Sequence, residues 1–334
     1  MILVSALGGV FGLIFWMLAA KIYLKEDVGT ATALISSLSL LILLSRFGLN
    51  QSMIRFFPEK DKGKVFGTSI IITTVFAVSL GVIFIVGVDI WSPELHIVKR
   101  YAFPYILFLA ANSTALLIGN SFVALRKAEY YFLQSLFMGS RIAFLIPLVF
   151  LCTLGIFSSV GISFVVTLIF SLLLLVKSGI KPAGMDRGFL SDAFHFSAGN
   201  YVAALLMRSP GYILPIMVLN MLGAEETAHY YVAFAITSSL FIIPRAVSTS
   251  LFVEGSHGEA LKKTALKSIF AIFCLLIPAV IVLYFFGELV LELIGKDYAL
   301  GALNVLRIMA LSSFFVAICQ IHSSIKRTQM TCPH

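Results

Sequence analysis

Apolar residues run along this chain in ten long blocks separated by short polar interruptions. The blocks fall at 1–20, 29–53, 65–88, 102–125, 131–151, 155–176, 195–222, 227–253, 265–287 and 300–325. Each approaches or exceeds the roughly 20 mostly apolar residues a helix needs to cross a hydrocarbon core. The runs are continuous rather than alternating in ten-residue segments, which predicts helices and not a barrel. The interruptions carry turn and charge signals, as in Pro58 to Lys64, Trp91 to Glu94, Lys177 to Gly188 and Gly295 to Asp297. The first block has no basic start and no clear small-residue cleavage site, so it reads as a helix and not as a signal peptide. The pattern therefore predicts an all-α, polytopic membrane protein of about ten transmembrane helices.

Composition points the same way. Of the 334 residues, 60% are hydrophobic and 12% charged, against roughly 25% charged in a soluble domain. Lysine and arginine are unevenly shared between the two sets of loops. Fourteen, including Arg55, Lys60, Lys64, Lys181, Lys262 and Lys326, fall on one side, and five, Lys21, Lys25, Lys99, Arg100 and Lys296, on the other. The richer side is expected to be cytoplasmic, with the N-terminus inside. The formal charge of +8 is largely this topogenic bias beside anionic headgroups, and no nucleic acid is expected as a partner. Cys152, Cys274, Cys319 and Cys332 show no CxxC and no metal spacing. Neither metal nor cofactor is expected, and the cysteines in or beside spans read as small apolar filler.

Two long stretches repeat. A shift of 199 residues places Glu26 and Asp27 on Glu225 and Glu226, Ser39 on Ser238, and Arg46 on Arg245. A shift of 200 places Asn112 and Ser113 on Ser312 and Ser313, and the pair Arg126, Lys127 on Lys326, Arg327. Both shifts pair helices six spans apart, so the halves run in the same direction, a parallel repeat with its axis along the membrane normal. The expected organisation is a six-helix bundle over 1–176, a cytoplasmic linker over 177–194 and a second bundle over 195–334. With four helices in its second bundle, that half is expected to be incomplete and the chain a truncated form of a longer transporter. A natural ten-helix protein is the alternative.

All sixteen acidic residues fall in loops or close to helix ends, whereas Arg46, Arg208 and Arg245 fall inside spans. A charge at the bilayer centre costs at least ~2.5 kcal/mol and usually faces the bundle interior or a wet cavity. Buried arginine without buried carboxylate calls for an anion. Polar residues recur at helical spacing around each: Ser39 and Asn50 around Arg46, Tyr201 and Tyr212 around Arg208, Ser238 and Thr249 around Arg245. Snorkelling to the surface or interhelical hydrogen bonding remains open for each. Arg307 is expected to pair with Asp297 or Glu292. The acidic pairs at 26–27 and 225–226 read as helix N-terminal charges.

Three stretches, EDVGTATALISSLSLLILLSRFGLNQSMIRFFPE from Glu26, LGAEETAHYYVAFAITSSLFIIPRAVSTSLFVEGSHGE from Leu222 and LNVLRIMALSSFFVAICQIHSSIKR from Leu303, resemble the polysaccharide-transporter (Wzx-like) branch of the MOP flippase superfamily, which is related to MATE transporters. The resemblance implies two six-helix bundles, alternating access and a polyprenyl-pyrophosphate oligosaccharide flipped from the cytoplasmic to the outer leaflet of a prokaryotic plasma membrane. It also implies cationic cavity residues that hold the pyrophosphate. The substrate-binding set expected here is Arg46, Arg208, Arg245, Ser39, Ser238, Asn50, Thr249, Tyr201 and Tyr212, with Arg46 and Arg245 as a pseudo-symmetric pair. Membrane lipids and glycan-assembly enzymes are the expected partners. The rival readings are a cation-coupled multidrug exporter, a membrane enzyme of oligosaccharide polymerisation, and an inactive remnant. The first calls for a mid-span carboxylate and the second for a large outer loop, and neither is present in the sequence.

Overall fold

The computed structural model describes residues 2–244, 247–248 and 261–331. Helices account for nearly all of them, and among the described residues there is no strand. In chain order they are α1 (Ile2–Ile22), α2 (Lys25–Ser45), α3 (Leu49–Phe56), α4 (Lys62–Trp91), α5 (Ile97–Arg100), α6 (Ala102–Ala124), α7 (Ala128–Met138), α8 (Arg141–Leu145), α9 (Thr153–Lys177), α10 (Arg187–Leu222), α11 (Ala224–Ser238), α12 (Leu261–Glu292) and α13 (Lys296–Thr331). Eight of the described helical segments are long and apolar enough to cross a membrane, and Leu7–Ile22 is a shorter apolar helix. The protein is an all-α, multi-pass membrane protein.

Three of the expected boundaries change. The block at 29–53 is two helices, because Phe47 and Gly48 take positive φ of 46° and 74° between α2 and α3. Glycine adopts that region freely, whereas for phenylalanine it costs roughly 1–2 kcal/mol. The block at 131–151 is broken into α7, α8 and a 3₁₀ turn at Val149–Leu151. Gly139 ends α7, and Pro147 can neither donate to Ala143 nor favour a helical residue before it. Finally, helix takes over part of the stretch 177–194. Gly179, at φ 79°, closes α9, and the Asp186 carboxylate accepts the Phe189 N–H at 3.0 Å to open α10 at Arg187.

The chain packs as two compact units, one of residues 22–228 and one of 2–21 together with 229–334. In the first, α2 packs against α4, α6, α9 and α10. Small residues let these helices approach closely. Gly119 on α6 faces Gln134 of α7 with no room for a Cβ, and buried Gln134 donates to the Ala115 carbonyl at 2.6 Å and to Ser171 Oγ at 2.8 Å. Leu49, Met53 and Phe57, spaced four apart, seat α3 in an apolar cluster with Phe66, Phe122 and Phe189. The stretch 178–186 lies within this unit. Its Ala183 N–H donates to the Gly63 carbonyl at 3.0 Å and its Asp186 N–H to Thr68 Oγ1 at 2.8 Å.

In the second unit α12 and α13 run as a helical hairpin over a core of Leu240, Ile272, Leu276, Val280, Ala310 and Ile321. Trp16 of α1 packs edge-on against Tyr231 at 4.5 Å. Arg307 sits over the Tyr284 ring at 5.3 Å and donates from Nε to the Tyr284 carbonyl at 3.1 Å. That contact replaces the acid pairing expected from sequence, because a guanidinium near an apolar surface is satisfied by an aromatic face and a carbonyl. Cys152, Cys274 and Cys319 are exposed free thiols. Lipid-facing positions of a span accept small apolar side chains as readily as the interior does.

Candidate functional site

A cleft opens in the first unit where α2 breaks into α3 and α10 crosses the break. It encloses about 370 Å³, open mouth included, and is lined by Leu43, Arg46, Gly48, Asn50, Gln51, Asn200, Tyr201, Ala204 and Arg208. Two elements build it. The break sets Arg46, Gly48, Asn50 and Gln51 around one corner. On α10, positions 200, 201, 204 and 208 recur at three- and four-residue spacing and so share one face.

The backbone at the corner is held by its own turn and by α10. The Leu49 N–H donates to the Arg46 carbonyl at 2.8 Å, and the Gly48 carbonyl accepts from Gln51 at 3.0 Å and Ser52 at 3.2 Å. The Tyr201 hydroxyl donates to the Leu44 carbonyl at 2.8 Å. Ser197 donates to Ala193 at 2.6 Å and, over a longer arm of 3.2 Å, to the Phe47 carbonyl. The Phe47 ring is gripped edge-on by Phe76 at 4.6 Å and lies 5.7 Å from Tyr201.

The charge balance of the cleft is one-sided. Two guanidinium groups line it and no carboxylate does. Arg208 and Tyr212 of α10 lie within electrostatic range of Arg46. Arg46 Nε is buried without a hydrogen-bond partner. An unmet donor on a charged group is costly in a low-dielectric site. A bidentate oxyanion satisfies such a fork with two parallel hydrogen bonds. The N-terminus of α3, beside Gly48 and Asn50, is the positive end of a helix dipole.

Of the residues expected from sequence, the structure brings Arg46, Arg208, Asn50 and Tyr201 to one cleft and Tyr212 to its flank. Ser39 is not among the lining residues, and its hydroxyl is taken by the Ile35 carbonyl at 2.9 Å. Ser238 belongs to the second unit and donates to the Ala235 carbonyl at 2.7 Å. Arg245 and Thr249 lie outside the described residues. Sequence reasoning missed Gln51 and Asn200. Their signal was helical spacing: Asn200 stands eight residues before Arg208, and Gln51 follows Asn50 on the far side of an unrecognised glycine break.

The chain has 15% sequence identity to the lipid II flippase MurJ in an inward closed conformation, superposing with a TM-score of 0.76 over 99% of this chain and 76% of that one. A multidrug-resistance MATE-family transporter of the MOP superfamily, inward-facing, superposes with a TM-score of 0.70 at 17% identity, over 97% of this chain and 84% of that one. The fold is that of the MOP-superfamily transporters. The chain is 26% identical over 152 residues to a Shigella flexneri protein named "Putative O-antigen transporter". That match spans 44% of this chain and 36% of the relative. No family profile matches. The proteins it resembles are named as transporters and a flippase.

Proposed function

We propose that the protein flips a lipid-linked oligosaccharide, carried on a polyprenyl pyrophosphate, from the cytoplasmic to the outer leaflet of a prokaryotic plasma membrane. The observation that carries this reading is the cleft itself: two arginines, one with a buried unpartnered Nε, and no acid. The pyrophosphate is held by Arg46 and Arg208, and Asn50, Gln51 and Asn200 supply amide donors and acceptors to sugar hydroxyls. The similarity to an O-antigen transporter and the fold shared with a lipid II flippase support that substrate class. Multidrug export is less well supported, since its cation-coupling reading calls for a carboxylate within the spans.

In this account the N-terminus is inside, following the lysine and arginine bias. The helices derive from a parallel repeat, and the bundles rock to give alternating access. Arg245, with Ser238 and Thr249 on its stripe, supplies the second half's cation, and Ser39 and Tyr212 act as flanking polar positions. Glycan-assembly enzymes stand upstream as partners.

The test is leaflet translocation of a fluorescent polyprenyl-pyrophosphate oligosaccharide in proteoliposomes. Wild type translocates, and Arg46→Ala/Arg208→Ala loses at least about a hundredfold in rate, as expected for two charge-assisted contacts. Equal rates in both proteins would remove the cleft from the mechanism.

A further inference from the structure

Tyr201 lines the cleft, yet its hydroxyl is already spent. It donates at 2.8 Å to the carbonyl of Leu44. In an unbroken helix that carbonyl would accept the N–H of Gly48, four residues on. Here Gly48 has left the helix at φ 74° and Phe47 at φ 46°. A carbonyl released inside a membrane protein needs another donor, and Tyr201 is that donor. Its ring also lies 5.7 Å from that of Phe47, the strained residue, which Phe76 of α4 grips from another side. One helical turn before Tyr201, Ser197 closes on Gly48: a Cβ on Gly48 would stand 2.6 Å from Ser197 Cβ. The longer arm of the Ser197 hydroxyl reaches the Phe47 carbonyl.

We propose that Tyr201 is a positioning residue: its hydroxyl replaces the missing helical hydrogen bond at Leu44 and so holds the α2–α3 break open, which turns Arg46 toward Arg208. Ser197 and the side-chain-free face of Gly48 complete the same clasp. The break and the placement of α10 are therefore one equilibrium. With the clasp made, α2 and α3 stay separate and both guanidinium groups share the cleft. With it lost, the Leu44 carbonyl recovers the Gly48 N–H, the helix anneals through 46–48, and Arg46 turns out of the cleft. The inference concerns backbone geometry. Its bearing on transport rests on the proposed flippase reading.

The experiment is hydrogen–deuterium exchange over residues 44–52 in nanodiscs, on wild type, Tyr201→Phe and Gly48→Ala. Tyr201→Phe keeps the ring and deletes only the donor. Gly48→Ala penalises the left-handed corner and crowds Ser197 without touching Tyr201. Both variants are expected to slow exchange at the 47–51 amides, on the order of five-fold, because the annealed helix returns the Gly48 N–H to the Leu44 carbonyl and protects its neighbours. A ligand role for the hydroxyl predicts something different: Tyr201→Phe would raise the apparent KM for translocation with an unchanged exchange profile. Unchanged or faster exchange in both variants overturns the proposal. Exchange needs only folded protein, so a wild type that fails to translocate defeats the flippase reading and leaves this result standing.

Discussion

The first turn of α2 is tied to α9 through one carboxylate, and cutting that tie has a calculable cost. Asp27 Oδ1 accepts two hydrogen bonds from Thr153, from the backbone N–H at 2.9 Å and from Oγ1 at 2.6 Å. Thr153 is the first residue of α9, and Cys152 before it has φ 52°. Asp27 thus caps a neighbouring helix across 126 residues of sequence and complements its dipole. Hydrogen bonds to charged groups contribute about 1.5–3 kcal/mol in water-soluble proteins, but interhelical bonds in membranes average nearer ~0.6 with a maximum of ~1.7. Taking about 1 kcal/mol for each of the two bonds, within the membrane range, gives about 2 kcal/mol for Asp27→Ala and about 1 kcal/mol for Asp27→Asn. The assay is a double-mutant cycle with Thr153→Val, read by reversible unfolding in mixed micelles. Valine removes only the hydroxyl arm, so the coupling expected is about 1 kcal/mol. Coupling below about 0.3 kcal/mol, the scatter of independent sites, would refute the capping role.

Other expectations follow from the same packing. Gln134→Leu leaves the Ser171 hydroxyl without its partner and the α6–α7–α9 contact without its polar lock, so unfolding free energy should fall by about 1 kcal/mol, measured in the same assay. The Phe189 N–H, helped by that of Gly188 and by Lys60 and Lys64, holds the Asp186 carboxyl below the usual carboxylate range. Because the folded value is the lower one, its contribution is complete above about pH 4, the unfolded value, and is lost as pH falls through the folded one. The thermal midpoint of wild type should therefore fall more steeply than that of Asp186→Asn as pH falls below about 4. Gly67→Ala would place a Cβ on the Ala183 carbonyl, so limited proteolysis at 178–186 should quicken severalfold while the transmembrane core stays protected.

Much of the fold was legible because a bilayer reads composition directly. Continuous apolar runs predicted membrane helices, and the resemblance carried by the stretches from Glu26 and Leu222 predicted a MOP-type fold. The breaks were harder to see. In the run LLSRFGLNQ nothing announces that Phe47 will take a positive φ. Only Gly48 hints at it, and the strain is offset by Phe76 and Tyr201, both distant in sequence. The same blindness hid Gln51 and Asn200, which reach the cleft only because the helix bends. Arg46 and Arg208 were recoverable, since a cation within a span has few inexpensive surroundings. Ser39 stands off the cleft lining, because a serine on an apolar helix returns its proton to the preceding turn, as Ser39 does to Ile35.

The proposed function requires the cleft to hold a phosphate-bearing lipid through its arginines. The most direct measurement is the affinity of detergent-solubilised protein for a polyprenyl-pyrophosphate oligosaccharide, compared between wild type, Arg46→Gln, Arg208→Gln and the double variant at two salt concentrations. Each single variant is predicted to weaken binding by at least about tenfold, and the double variant to lose the salt dependence as well. Equal affinity and equal salt dependence in all four proteins would contradict the account.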